Sequence, residues 1–138
     1  MKKPLELILL CLVLSGCNFI SESTIRSQIP DGFEIAKLRY FKSQIDCVLA
    51  VYDTESFDIE GIEGGDFSFV NNENESEIDQ NFIGITLLAG KTCADSNIRD
   101  DFMEFHNRED IILLVNTAQN ATITFPPLTQ TLYFLGRD

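Results

Sequence analysis

Apolar residues in this chain recur mainly at the spacing of β-strands. Residues 47–52 form a continuous apolar run, which is typical of a strand buried on both faces of a sheet. Residues 33–41 alternate and are rich in aromatic and β-branched side chains, which favours a second strand. Residues 43–46 would turn between them. The pattern therefore predicts a hairpin of two antiparallel strands.

Helical spacing follows further along the chain. A first helix is predicted from apolar side chains at intervals of three or four residues, at Ile78, Phe82, Ile85 and Ala89. Gly90 is placed to end it. A strand over residues 82–89 is the alternative, because every second residue from Ile83 is apolar as well. Asp95 or Ser96 can cap a second helix, whose apolar stripe comprises Ile98, Phe102 and Phe105.

The remaining pattern indicates short strands separated by polar or glycine-rich loops. A loop is predicted over residues 53–66, and either a loop or the start of a helix capped by Asn over residues 71–77. Further strands are predicted over residues 67–70, 111–115, 121–125 and 128–135. Strands that follow one another through short turns favour an antiparallel sheet. The sequence thus predicts one α+β domain over residues 32–138, with about four to six antiparallel strands and one or two helices.

The first residues have the pattern of an export signal. Lys2 and Lys3 precede an unbroken apolar run over residues 7–14, and the small residues Ser15 and Gly16 end it. A positive start, a short apolar middle and small residues at the end are typical of a secretory signal peptide. The run is too short for a transmembrane helix, which needs roughly 20 apolar residues.

Residues Leu14-Ser15-Gly16-Cys17 resemble the lipobox of bacterial lipoproteins, in which a Leu and two small residues precede a Cys. The resemblance covers only the first 17 residues. It implies that residues 1–16 are removed and that Cys17 carries a diacylglycerol thioether, often with a further acyl chain such as palmitate on the freed amine. Two or three acyl chains anchor a protein stably.

The same resemblance implies a location in the cell envelope. In that family an Asp after the lipidated Cys favours retention at the inner membrane. Asn18 occupies that position here, which favours the outer membrane, facing the periplasm. The outer leaflet of the inner membrane is the alternative. Residues 17–31 would then be the lipidated N-terminus and a tether, with a short helix possible before the turn at residues 30–32.

Two cysteines remain in the mature chain, Cys47 and Cys93. An oxidising compartment favours their pairing as a disulfide, and their spacing excludes a redox CxxC motif. Two buried free thiols are the alternative.

The chain is acidic, with a net charge of −12 that becomes −13 once Lys2, Lys3 and Glu6 are removed. Such a charge opposes binding to nucleic acid and to anionic membrane surfaces. It would suit a basic protein partner, or it serves solubility alone. A possible docking loop for such a partner holds six acids, namely Asp53, Glu55, Asp58, Glu60, Glu63 and Asp66.

Motifs for catalysis, metal binding or cofactor binding are not found. The acidic stretch lacks the ligand order of a calcium loop, and the glycines fit neither a dinucleotide fingerprint nor a P-loop. His106 is the only histidine and has no zinc-site or nucleophile motif near it. We therefore expect no cofactor and no metal.

Three functions remain open at this point. We favour a binding or interaction module, for example of the inhibitor or immunity type. A small envelope hydrolase and a structural or assembly accessory of the outer membrane are the alternatives.

Replacement of the lipidation residue tests the anchor directly. We expect a Cys17→Ser variant to move from the membrane fraction to the soluble periplasmic fraction, because no acyl chain can then be attached. Cell fractionation with immunodetection measures this. A Cys11→Ser variant is the control, since that cysteine would leave with the signal peptide and its loss should not release the protein. Retention of the Cys17→Ser variant on membranes would contradict the anchor.

Overall fold

A computed structural model describes residues 20–63, 65–70, 80–105 and 110–137 of the chain. Within these residues the strands are β1 (Phe33–Gln44), β2 (Cys47–Phe57), β3 (Ser68–Phe69), β4 (Ile112–Asn116), β5 (Ala121–Phe125) and β6 (Thr131–Gly136). The α-helices are α1 (Glu22–Gln28), α2 (Ile59–Glu63), α3 (Gln80–Cys93) and α4 (Ser96–Phe105), and a 3₁₀ turn spans Thr117–Gln119.

The six strands form one antiparallel sheet in the order β1-β2-β6-β5-β4-β3. The predicted α+β class and the antiparallel sheet are confirmed. The structure describes four α-helices where one or two were expected. Helix α1 is the short helix that was left possible within residues 17–31, and α2 was not predicted. Both are short, at seven and five residues, and they lie in segments where polar and glycine residues hide the helical spacing.

The β1–β2 hairpin is present and is longer than predicted. Its register runs from Gln44 opposite Cys47 to Phe33 opposite Phe57. The end of β2 was expected to be a loop from residue 53 onward, and that prediction was wrong. Strand β2 continues through these polar residues because hydrogen bonds hold it in place. Thr54 N and Thr54 Oγ1 both donate to the carbonyl oxygen of Gln130, at 2.9 and 3.0 Å.

Strands β2 and β6 are central and are buried on both faces, which explains the continuous apolar run. On one face Val48, Ala50 and Tyr52 pack with α1 and α2 in a first cluster. On the other face Leu49 and Val51 pack with α3 and α4 in a second cluster. The sheet therefore separates an α1–α2 layer from an α3–α4 layer, and both are needed to cover it.

Helix α1 brings the start of the folded body forward to residue 20, rather than 32. Ser21 caps the helix by accepting a hydrogen bond from Thr24 N. Ile25 and Ile29 are buried in the first cluster, and Ile20 packs against it. Tyr52 Oη donates to Glu22 Oε1 at 2.9 Å. Residues 20–31 of the expected tether are therefore packed on the sheet, with Ile25 and Ile29 in its core.

Residues 80–93 form a helix rather than the alternative strand, but the predicted buried stripe was wrong. The buried side of α3 comprises Ile83, Thr86, Gly90 and Cys93. Ile85 is 44% exposed, and Ile78 lies outside the described residues. The helix also continues past Gly90, where it crosses β6 closely. A Cβ atom on Gly90 would lie 1.8 Å from Leu135 Cδ2, so the missing side chain permits this crossing.

The C-terminal half follows the predicted order with shifted boundaries. Phe102 is buried in the second cluster, with Ile98 packed beside it, as the α4 stripe predicts. The last strand begins at Thr131 rather than Leu128, because residues 126–130 turn. Thr129 N donates to the carbonyl oxygen of Pro126, and Gln130 has a φ of 52°.

Two glycines in α3 provide a matched test of its crossing with β6. We expect Gly90→Ala to destabilise the fold by about 1–3 kcal/mol through overpacking against Leu135. Gly84 is exposed and its Cβ position is free of other atoms within 4 Å. Gly84→Ala should stabilise the fold by about 0.5–1 kcal/mol through helix propensity. Urea denaturation measures both. Equal effects of the two substitutions would contradict the close crossing.

Candidate interaction surfaces

A disulfide ties α3 to the central strand. Cys47 begins β2 and Cys93 ends α3, and their Cα atoms are 5.9 Å apart in the Cys47–Cys93 disulfide. The predicted pairing is therefore present. Tyr40 supports the same corner, since its hydroxyl donates to the carbonyl oxygen of Cys93 at 3.0 Å and accepts from Asp95 N at 3.2 Å. Burial raises the pKa of Tyr40 above its usual value.

A groove of about 800 Å³ opens beside this disulfide, between the β1–β2 turn and α3. We call it the tip groove. Its apolar lining comprises Ile45, Ile85, Leu88 and Ala89, and its charged lining comprises Asp46 and Arg137. Ile45 is 74% exposed and Leu88 is 63% exposed. Large apolar side chains gathered at one place on a surface mark a contact site more often than isolated ones do.

Basic side chains lie at the same end of the hairpin as the tip groove, and one of them, Arg137, lines it. Arg137 follows β6 and Lys91 lies in the last turn of α3, and both are exposed. Neither has an ion pair within the described part of the chain. Lys42 Nζ lies 3.3 Å from Asp95 Oδ1 in an ion pair at the same end of the hairpin. This end of the domain therefore carries three basic side chains, Lys42, Lys91 and Arg137, together with the acids Asp46 and Asp95.

Acidic side chains gather at the opposite end of the hairpin. Asp58 precedes α2, Glu60 and Glu63 lie on it, and Asp66 follows it; all four are exposed. The carbonyl oxygen of Gly32 accepts a hydrogen bond from Asp58 N at 2.7 Å, which brings the neighbouring Asp31 to the same region. Among the described ion pairs none involves these residues. We call this surface the acidic end.

The predicted acidic loop is not one loop. Asp53 and Glu55 lie within β2, and Asp53 Oδ1 lies 3.6 Å from Arg39 Nη1 of the neighbouring strand. The six acids therefore divide into two on the sheet and four around α2.

Burial raises the pKa of Tyr133 on the α3–α4 side of the sheet, and the nearby carboxylate of Asp101 adds to this effect.

Neither surface contains an arrangement that suggests metal or acid–base chemistry. In residues 20–63, 65–70, 80–105 and 110–137 no group of three His, Cys, Asp or Glu side chains could hold a metal ion. His106 and Cys17 lie outside these residues. Burial raises the pKa of Tyr52, and its hydrogen bond to Glu22 raises it further; that contact holds α1 to the sheet. No helix of the described chain is long and apolar enough to cross a membrane.

Sequence reasoning missed the tip groove. Its signal was present in two places, at Ile45 in the turn of a hairpin and at Leu88 outside the predicted stripe of α3. Ile45 lies in the turn predicted over residues 43–46, where an apolar side chain has no core to enter, so an exposed apolar position could have been expected there.

Removal of the disulfide tests how far the corner depends on it. We expect Cys47→Ala/Cys93→Ala to lose about 3–4 kcal/mol of unfolding free energy, because the closed loop of 46 residues no longer restricts the unfolded chain. Chemical denaturation measures this loss. The unsubstituted protein in reductant is the matched comparison and should show the same loss. An unchanged midpoint in either case would contradict the stabilising role.

Comparisons with known proteins assign no family to this chain. No protein-family model, no curated protein and no solved structure matches it. The function is therefore inferred from the signal at the N-terminus and from the two surfaces at the ends of the hairpin.

Proposed function

We propose that this chain is a lipoprotein of the bacterial cell envelope, anchored by acyl chains on Cys17. The observation that carries this proposal is the sequence Leu14-Ser15-Gly16-Cys17 directly after a short apolar run. The Cys47–Cys93 disulfide supports it independently, because disulfides persist in oxidising compartments such as the periplasm. Asn18 after the lipidated residue favours the outer membrane.

We infer that the anchored domain is an interaction module for a basic protein, of the inhibitor or immunity type. Four exposed carboxylates surround the five-residue helix α2, and Asp31 lies close by. A surface that carries one sign of charge favours a partner of the opposite sign. Complementary charge also speeds association and limits the choice of partner.

The backbone of the acidic end is firmly held, which suits a preformed binding surface. Ile62 of α2 is fully buried in the first cluster. Ile62 N donates to the carbonyl oxygen of Asp58 at 3.2 Å, and Glu60 N donates to the Asp58 side chain at 3.3 Å. A surface that is already ordered loses little conformational freedom when a partner binds.

Charge reversal with a matched control tests this function. The full-length protein is used to capture proteins from envelope and secreted extracts at about 50 mM and about 500 mM salt, since screening weakens exposed charge contacts. We expect one dominant basic partner, captured at low salt and lost at high salt. Glu60→Lys/Glu63→Lys should abolish this capture.

Asp100→Lys/Glu104→Lys on α4 changes the net charge by the same amount on the other side of the sheet and is the control. We expect it to keep most of the capture, because its charges are remote from α2. Equal loss in both variants would show that overall charge, not the acidic end, recruits the partner. Absence of any salt-sensitive partner would contradict the protein-binding proposal.

A further inference from the structure

We propose that the tip end of the domain rests on the bilayer that holds the anchor, with the tip groove against lipid headgroups and the acidic end turned away. The tip end comprises the β1–β2 turn, the last turn of α3 and Arg137. The inference rests on the proposed lipid anchor at Cys17 and adds an orientation to it. Its occupant is the membrane surface itself, not a second protein.

The first argument is the short reach of the chain between lipid and fold. Ile20 already packs against the first cluster, so only Asn18 and Phe19 separate it from Cys17. An extended chain covers at most about 3.6 Å per residue, so the Cα atoms of Cys17 and Ile20 can be no more than about 11 Å apart. Such a short connection holds the domain close to the bilayer and restricts its tumbling.

The second argument is the direction in which the chain leaves the fold. Glu22, in the first turn of α1, accepts a hydrogen bond from Tyr52 in the middle of β2. At the other end of the helix, the carbonyl oxygen of Pro30 accepts from Phe33 N, and Phe33 is opposite Phe57. The helix therefore runs from the middle of the hairpin toward the acidic end. Its N-terminus therefore lies nearer to the tip than its C-terminus does.

The third argument is the apolar surface at the tip. Ile45, Leu88 and Ile85 are 74%, 63% and 44% exposed, and all three line the tip groove. Apolar side chains beside basic ones are typical of surfaces that lie in the headgroup region of a membrane. Contact with the bilayer would remove these three side chains from water.

The fourth argument is the separation of charge along the hairpin. Arg137 and Lys91 are exposed at the tip and can contact anionic headgroups. The acidic end lies at the far end of β2, whose 11 residues extend over roughly 35 Å at about 3.3 Å per residue. The Debye length is about 8 Å at physiological salt. The acidic end is therefore too distant to oppose the attraction of Arg137 and Lys91 to the headgroups. Asp46 and Asp95 are the acids that share the tip, and Asp95 is paired with Lys42.

A single tryptophan measures this orientation, because the chain contains no Trp of its own. Lipidated full-length protein carrying Ile45→Trp is reconstituted into vesicles with bromine-labelled acyl chains and anionic headgroups. Bromine quenches tryptophan only near contact. We expect strong quenching and a blue-shifted emission. Leu88→Trp is a second tip probe, and Glu60→Trp at the acidic end is the control that should be neither quenched nor shifted.

Two further variants test separately whether the short connection and the basic side chains produce this orientation. A ten-residue Gly-Ser insertion between Phe19 and Ile20 should reduce the quenching of the Ile45→Trp variant by lengthening the connection. Lys91→Glu/Arg137→Glu should reduce it by repelling the headgroups. Quenching that is equal at positions 45 and 60 would overturn the orientation.

Other outcomes distinguish the two proposals. Protein that carries lipid and floats with the vesicles, while both tip probes stay unquenched, would overturn this inference and leave the anchor intact. A blue shift of the Ile45→Trp variant that depends on protein concentration without vesicles would show that a second copy covers the tip. Protein without lipid mass that does not float would overturn the anchor, and this inference with it.

Discussion

Burial of β2 and β6 on both faces is the constraint on which the rest of this structure depends. Residues 47–52 are all fully or almost fully buried, and each large apolar side chain removed from water contributes about 1.5–3 kcal/mol. A sheet whose central strands are apolar on both faces needs a layer of helices on each face. Helices α1 and α2 cover one face, and α3 and α4 cover the other. Residues 20–31 therefore contribute to this cover, through the buried side chains of Ile25 and Ile29.

The position of α3 follows from how closely it crosses that sheet. Gly90 lets the helix backbone approach Leu135, and the Cys47–Cys93 disulfide holds the end of the helix to β2. Together they turn Thr86 and Gly90 toward the sheet and leave Ile85 and Leu88 facing outward. The tip groove is therefore a consequence of close packing at one crossing, and it lies where the hairpin turn adds Ile45.

A long hairpin also separates two kinds of surface. The β1–β2 pair extends from a turn with apolar and basic neighbours to an acidic end around α2. Electrostatic attraction to anionic headgroups and attraction to a basic partner would conflict on a compact surface. Here the two charged surfaces are separated by the length of β2, which exceeds the Debye length, so each attraction is little affected by the other surface. A domain whose net charge is −13 without residues 1–16 would in this way present one end to a membrane and the other to a protein, as we propose.

Local pattern determined much of this protein. The apolar run of β2, its hairpin with β1, the stripe of α4 and the pairing of Cys47 with Cys93 could all be predicted, because each depends on near neighbours or on a single remaining partner. The export signal and the lipidation residue are likewise sequence features, and they stay predictions. Only the tertiary structure decided which side of α3 is buried, where β2 ends and that α1 belongs to the core. Those features depend on contacts between residues far apart in the chain, such as Gly90 with Leu135, Thr54 with Gln130 and Glu22 with Tyr52, and no local periodicity contains them.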